Sequence, residues 1–258
     1  MKNQQSRQIT VTFDSNVWES IVDPEKRIAG SAFEAILTMI RSREILPFFS
    51  EGIATIETVP KQKRIDHFPS SRSKITMRIG DNAPTVTEGT PAHELSDYLS
   101  KNIPLALSLG FRFIRLPRAG APRVPEELMA ADTYVSLEDR LERSFNFVRH
   151  IESLGFGRSR MAEKTREVRL RQASRISADE KLPLIKPYAK AVAEWADGDA
   201  LAAHYGYGLD YFCTNDRGRN AGAGSVFSEA NLLNLMNQFS LKVVNPEELV
   251  TKLRGPQQ

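Results

Sequence analysis

Five short apolar runs, spaced through the chain and divided by longer stretches of helical pattern, leave few folds open to it. Residues 8–13 (Gln-Ile-Thr-Val-Thr-Phe) are short and β-branched, and they stop abruptly at Asp14-Ser15-Asn16, residue types of turns and helix caps. This spacing predicts a strand running into a helix. Residues 45–49, 111–116, 209–214 and 241–244 repeat the apolar pattern. Between the first two runs, Phe33, Ile36, Leu37 and Ile40 fall at helical spacing behind Ser31, a plausible N-cap. Ser50 is placed to cap a helix holding Ile53, Ile56 and Glu57, which Pro60 ends or interrupts. Residues 104–109 lead into the third run, which Pro117 and Gly120 close. Over residues 125–173 Leu137, Leu141, Phe145, Val148 and Ile151 recur at threes and fours, the pattern of an amphipathic helix. Residues 187–205 read as helix, interrupted or restarted near Gly198, and residues 218–224 as a glycine-rich loop. A helix over 229–238 precedes the last strand, and Asn245-Pro246-Glu247-Glu248 starts a closing helix. Residues 60–100 are polar and lack sustained periodicity, apart from a β-hairpin around 74–79. Strands that alternate with helices predict a parallel sheet covered on both faces.

Charge is distributed unevenly. The net charge is +3, yet residues 156–175 hold seven Arg or Lys against two acids, a local excess of five that leaves the rest of the chain at minus two. On a helix, Arg160, Lys164, Arg171 and Arg175 line one face, which suits a phosphate backbone; the plain alternative is a solvated helix face. The sequence has no run of about eighteen apolar residues and no signal-type stretch in residues 1–10, so a cytoplasmic protein is expected, with no membrane partner. Cys213 is the only cysteine, which excludes an intramolecular disulfide and a cysteine zinc cluster; in Tyr-Phe-Cys-Thr it reads as a buried small hydrophobe.

In an open parallel sheet, ligands gather beyond the carboxyl ends of the strands, where Asp14 and Asp216 are both expected. Two carboxylates at one edge repel unless a cation lies between them, and Mg2+ or Mn2+ takes such hard oxygen ligands while keeping waters and substrate phosphate in its shell. Such a site would activate water against a phosphodiester. Other chemistries lack their motifs: there is no phosphate loop of Walker type, no Gly-x-Gly-x-x-Gly after the first strand, no Gly-x-Ser-x-Gly and no His-Glu-x-x-His. The histidines, His67, His93, His150 and His204, are poorly patterned for a metal, and His204 reads as a packed residue or one at the site mouth rather than a ligand.

Phe13-Asp14-Ser15-Asn16-Val17-Trp18 resembles the opening of the PIN-domain ribonucleases, an aspartate ending the first strand before small polar residues. The stretch from Ser50 to Glu57-Thr58-Val59 is similar to their second motif, Asp197-Gly-Asp199-Ala-Leu-Ala-Ala to the third, and Tyr211-Phe-Cys-Thr-Asn-Asp216 to the fourth. The closing strand and Asn-Pro-Glu-Glu-Leu also fit. The resemblance covers about residues 8–60, 105–125 and 190–250 of a single domain, with insertions at about 60–100 and 125–185. It implies a three-layer α/β/α sandwich with a central parallel sheet of about five strands and a mainly helical insertion. It also implies a metal-dependent site for single-stranded RNA, as in VapC-type toxins and RNA-processing enzymes, with an antitoxin protein and a homodimer as partners to consider. On this resemblance Asp14 and Asp216 would be metal ligands, Glu57 a ligand or water-positioning carboxylate, and Asp197 or Asp199 the third-motif acid, with Glu51 a weaker substitute for Glu57. Arg217 and Arg219 depart from the residues usual after the fourth motif and are candidates to contact phosphates, as are Arg158, Arg160, Lys164, Arg171 and Arg175. A non-catalytic RNA- or protein-binding module and a structure-specific DNA nuclease are the alternatives.

Overall fold

The computed structural model of the chain describes residues 8–70, 74–78, 85–89, 95–117, 124–131, 135–173, 178–216 and 224–255. Its centre is a five-stranded parallel sheet flanked by helices, a three-layer α/β/α sandwich. Strand β1 (Ile9–Phe13) lies in the middle, beside β2 (Ile45–Ser50). A small antiparallel hairpin of β3 (Lys74–Arg78) and β4 (Thr85–Gly89) stands apart, as the sequence predicts. The order across the main sheet is β5 (Arg112–Ile114), β2, β1, β6 (Tyr211–Cys213), β7 (Val243–Val244). The chain therefore winds outward on one side of β1 and later returns to wind outward on the other. That reversal places the topological switch point, where a crevice opens, between the carboxyl ends of β1 and β6.

Period-two alternation divides the two faces. Val11, Phe13, Ile45, Phe49 and Phe113 point to one side, into a core closed by α1 (Ser15–Val22), α2 (Ala32–Arg41), α5 (Asp97–Ser108) and α10 (Pro246–Arg254). Phe48, Ile114, Phe212 and Val243 point to the other, against α6 (Leu137–Ser153), α8 (Ala178–Tyr207) and α9 (Glu229–Phe239). The closing helix starts at Asn245 as expected, and it does so through a capping box: the Asn245 side chain accepts from the Glu248 amide, and the Glu248 carboxylate accepts from the Asn245 amide.

Several sequence expectations need correction. The stretch at 104–109 is the last part of α5, whose first turn Ser96 caps; Pro104 sits inside that helix, and the strand after it shrinks to three residues. The helical pattern of 125–173 is broken into α6 and α7 (Arg158–Ala173) by Gly155 and Gly157, both at positive φ (82° and 81°), a conformation that glycine alone adopts without strain. Helix α6 belongs to the second layer rather than to an appended insertion, since Phe147 and Ile151 are fully buried in its core. Helix α8 is not interrupted at Gly198. It runs through, and the absent side chain there lets the α6–α7 turn approach: a Cβ on Gly198 would lie 3.5 Å from Ile151 and 3.8 Å from the Gly157 backbone.

Helix α8 sets the overall shape. At 30 residues it is ~45 Å long, against ~17 Å for β1. Its C-terminal end turns at Gly208 into β6, so it runs antiparallel to the strands, and His204 meets Thr12 near the carboxyl end of β1. The half upstream must therefore project beyond the carboxyl edge of the sheet. There it carries a separate core, Ile56, Ile65, Met161, Val168, Leu184, Tyr188 and Val192, built with α4 (Arg64–Ser70) and α7. Lower down, α6 and α8 approach at Gly206, where an added Cβ would lie 1.9 Å from Ser144 Oγ and 3.1 Å from the Arg140 carbonyl oxygen. Gly206→Ala is expected to cost about 1–3 kcal/mol through overpacking, read as a lower denaturant midpoint with unchanged slope.

Candidate functional site: an acid cluster at the switch point

Asp14 follows Phe13 and caps α1. One carboxylate oxygen, Oδ1, accepts from the Ser15 amide at 2.8 Å, and Oδ2 accepts from Thr214 Oγ1 at 2.7 Å. The Thr214 hydroxyl in turn accepts from the Asp216 amide at 3.0 Å, so one side chain orients both strand-end acids. Asn16 adds a second tie, its Oδ1 accepting from the Asn215 amide at 3.1 Å and its backbone carbonyl accepting from Asn215 Nδ2 at 3.3 Å. The ends of β1 and β6 are thus stitched together by short polar side chains that each have a partner. Asp14 is buried and Asp216 exposed, which makes the pair a floor and a rim.

Glu57 reaches the same place by a different route. The expected helix around it is a single turn, α3 (Gly52–Thr55), and Glu57 lies just past its end, its amide donating to the Gly52 carbonyl at 2.9 Å. Ile56, Thr58 and Val59 are β-branched and Pro60 follows, a run that disfavours further helix. Ser50 does not cap this turn as an N-cap; its hydroxyl accepts from the Gly52 amide at 3.1 Å, inside the bend. The third acid comes from the middle of α8, not from a helix start, because the helix continues upstream to Ala178. Two turns above His204, Asp197 is lifted to the level of the sheet edge.

Electrostatics shows which acids share the site. Burial is the main cause that raises the Asp14 carboxyl above its ordinary range, and the charge of Asp216 adds to it, against the hydrogen bonds from Thr214 and Ser15. Burial and then the charge of Asp14 push Glu57 up to about 7. Asp197 is raised well above the ordinary carboxylate range by burial and by the charges of Asp14, Glu57, Glu194 and Asp216. Asp14 thus feels the charge of Asp216, Glu57 that of Asp14, and Asp197 those of all three. Asp199, also buried, lies two residues beyond Asp197 and so projects ~200° away on the helix. Between the two candidates for the third acid, it is Asp197 that faces the other three.

Glu51, the weaker substitute for Glu57, has another job. It is buried, its Oε1 accepts from the Val124 amide at 2.6 Å, and it pairs with Arg115 Nη2 at 3.2 Å, tying the end of β2 to the segment after β5. Glu51→Ala is expected to cost about 3 kcal/mol in urea unfolding by leaving Arg115 in a buried site without this carboxylate, while the acid cluster keeps its properties. His204 is also structural: its Nδ1 lies 2.8 Å from Thr12 Oγ1, its ring meets Phe212 edge-on, and burial pushes it down to about 3, so it is neutral.

No family model, curated protein or solved structure matches this chain.

Two residues that the sequence did not single out border the cluster. Arg64, at the start of α4, is buried next to Glu57 and Asp197, whose charges act on it. Glu194, one turn before Asp197, is buried and accepts from the Val226 amide at 2.9 Å, holding the chain that re-enters after the glycine-rich loop. Burial raises its carboxyl, against the Val226 and Ser225 hydrogen bonds and the charges of Lys190 and Arg160. Arg64 lay in a stretch without periodicity, and nothing in the local sequence marks it.

The basic helix α7 buries Met161 and Val168 against α8. Arg160, Lys164 and Arg171 share one flank of that stripe by helical period. Arg160 is half-buried, and its Nη1 donates to the Gly224 carbonyl at 3.4 Å. Lys164 and Arg171 both pair with Glu167, at 2.9 and 3.1 Å, and Arg158 is exposed on the other flank. Arg175, Arg217 and Arg219 lie outside the described residues.

Among the described residues no three His, Cys, Asp or Glu side chains form a ready-made cage around one ion. The donor set nevertheless suits Mg2+ or Mn2+, which commonly bind through one or two carboxylates and keep their waters. A pair such as Asp14 and Asp216, with mutual repulsion to relieve, meets that requirement. No helix among the described residues is long and apolar enough to cross a membrane.

Proposed function

We propose that the chain is a divalent-metal-dependent nuclease of PIN type that hydrolyses phosphodiester bonds, with single-stranded RNA as its substrate. The observation that carries the reading is the meeting of Asp14, Glu57, Asp197 and Asp216 at the switch point of a parallel sheet, where the charges of Asp14, Glu57 and Asp216 raise the cost of ionising Asp197. Buried like charges at a ligand-binding edge are a costly arrangement that a bound cation relieves. Asp14 and Asp216 would hold Mg2+ or Mn2+, which when bound supplies an activated water and offsets charge on the leaving oxygen.

The residues divide the remaining work. Thr214 fixes the Asp14 carboxylate through the 2.7 Å bond from its hydroxyl. Glu57, near 7, is poised to take a proton from the attacking water, since a general base works best with a pKa close to the working pH. Asp197, with its helix projecting over the sheet edge, bounds the site on the side of α4 and α7. The flank of α7 that holds Arg160, Lys164 and Arg171 begins beside Gly224 and would follow a phosphate backbone. Its contacts are electrostatic, so binding should weaken with salt at a slope of roughly −0.7 per phosphate for a single strand.

The test is cleavage of matched single-stranded RNA, single-stranded DNA and DNA flaps by the purified chain with Mn2+, against the same reactions in excess chelator. RNA cut only with metal supports the reading. Flaps cut in preference would move it to a structure-specific DNA nuclease, and intact substrates under all conditions would leave a non-catalytic binding module.

A further inference from the structure

We propose that Arg64 is a positioning residue for the acid cluster: its guanidinium clamps the turn that carries Glu57 to the helix that carries Asp197, and so sets the spacing of the carboxylates. This inference rests on the nuclease reading above and names a part of that site which no motif marks.

Arg64 is only 5% exposed, although it opens a helix in the polar stretch that follows Pro60. A buried guanidinium has no water to solvate it and must spend its donors on the protein. Nε donates to the Val59 carbonyl at 3.0 Å, two residues past Glu57. Nη1 donates to the Ala189 carbonyl at 3.3 Å, on α8 upstream of Asp197. The Arg64 amide closes the loop by donating to the Pro60 carbonyl at 3.2 Å. One side chain therefore reaches both segments that deliver an acid, and its charge acts on both Glu57 and Asp197.

The need for such a clamp follows from the fold. Asp14 and Asp216 follow hydrogen-bonded neighbouring strands, and Thr214 fixes them directly. Ser15 hydrogen-bonds the Glu57 carboxylate, but the backbone that carries Glu57 is less constrained, because α3 is a single turn and the residues from there to Lys63 belong to neither a helix nor the sheet. Lysine would not reproduce the arrangement. Its ammonium is a point charge, whereas the planar guanidinium presents donors in a fixed fork that two carbonyls on separate elements can share.

The test uses Arg64→Lys and Arg64→Gln in the full chain. Metal-free protein is titrated with MnCl2 at pH 8 by calorimetry, urea midpoints are recorded alongside, and kcat and KM are measured on a single-stranded RNA. Arg64→Lys is expected to bind Mn2+ about 10–100-fold more weakly, the usual scale for losing an outer residue of a metal site, because Glu57 and Asp197 would no longer be held beside the two acids that hold the ion. It should lower kcat with KM for RNA unchanged, and in a Glu57→Gln background it should bring a smaller loss of kcat than in the parent, because the two changes share the Glu57 carboxylate. A merely structural residue would lower the urea midpoint and leave Mn2+ affinity and the kcat-to-KM split alone, and that result in either folded variant overturns the proposal. Should the lysine variant not fold, the glutamine variant decides by the same comparison. A parent chain that binds Mn2+ and cuts RNA while the variants match it sinks only the role of Arg64; a parent that does neither sinks the nuclease reading and this role with it.

Discussion

Asp14→Asn is expected to lower Mn2+-dependent cleavage of single-stranded RNA by about a hundredfold or more while leaving the chain folded. The substitution separates charge from structure. Asparagine is as good an N-cap as aspartate, and its carbonyl oxygen can keep the bond from the Ser15 amide now measured at 2.8 Å. What it removes is the negative charge at the carboxyl end of β1, beside Asp216. Loss of about 3 kcal/mol of transition-state stabilisation, within what a well-placed cation supplies, corresponds to that hundredfold. Because burial raises the Asp14 carboxyl, the neutral side chain should hold or raise the melting temperature of the metal-free protein. Asp199→Asn is the matched control: it sits on the same helix as Asp197 but projects away from the cluster, and it should cut near the parent rate. An Asp14→Asn protein that cuts RNA as fast as the parent would remove the acid cluster from the mechanism, whatever its geometry.

The sequence revealed the sheet more fully than the site. Strand-end chemistry located Asp14 and Asp216, because a β-branched run that stops at a capping residue fixes both the strand and the residue beyond it. The same logic misled at Asp197-Gly198-Asp199. Acids before Ala-Leu-Ala-Ala look like a helix restarting near Gly198, yet the helix extends far upstream on contacts of Leu184, Tyr188 and Val192 with α4 and α7, elements whose own sequences are polar. Tertiary packing decided that helix, not its local pattern. The choice between Asp197 and Asp199 likewise needed a direction in space. Glu57 was found by its place in a motif, although its expected helix is a single turn, and Arg64 was invisible because a clamp is defined by what it touches: the carbonyls of Val59 and Ala189 are 130 residues apart in number and have no side-chain signature. Of the hairpin of β3 and β4 the sequence marked only the region of the first strand, around 74–79, while α5 was obscured by a proline that the helix tolerates.

Glu57→Gln is expected to stabilise the metal-free protein at neutral pH and to leave it unchanged in acid. The folded protein holds the Glu57 proton up to about 7, against an ordinary 4.5. Between those values the folded state binds more protons than the unfolded one, so stability falls as pH rises through the window. Asp14 and Asp197, also raised, act with the same sign. His204 acts with the opposite sign: at about 3 when folded against 6.5, it leaves the unfolded state with the extra proton, so stability rises across that interval. The two windows overlap, and the parent's own pH profile would hide both. The difference between parent and Glu57→Gln cancels His204 and isolates the carboxyl. In excess chelator the two melting curves should coincide below about pH 4.5, diverge between there and pH 7, and stay apart above it, with the variant more stable by roughly 1–3 kcal/mol, allowing for the partial exposure of Glu57. Saturating Mn2+ should reverse the order, because the cation binds the ionised parent more tightly and stabilises it by mass action. Curves that stay parallel across the whole range would show that Glu57 ionises in the fold as it does in water, and the cluster would then not be the strained set of charges from which the metal site is argued.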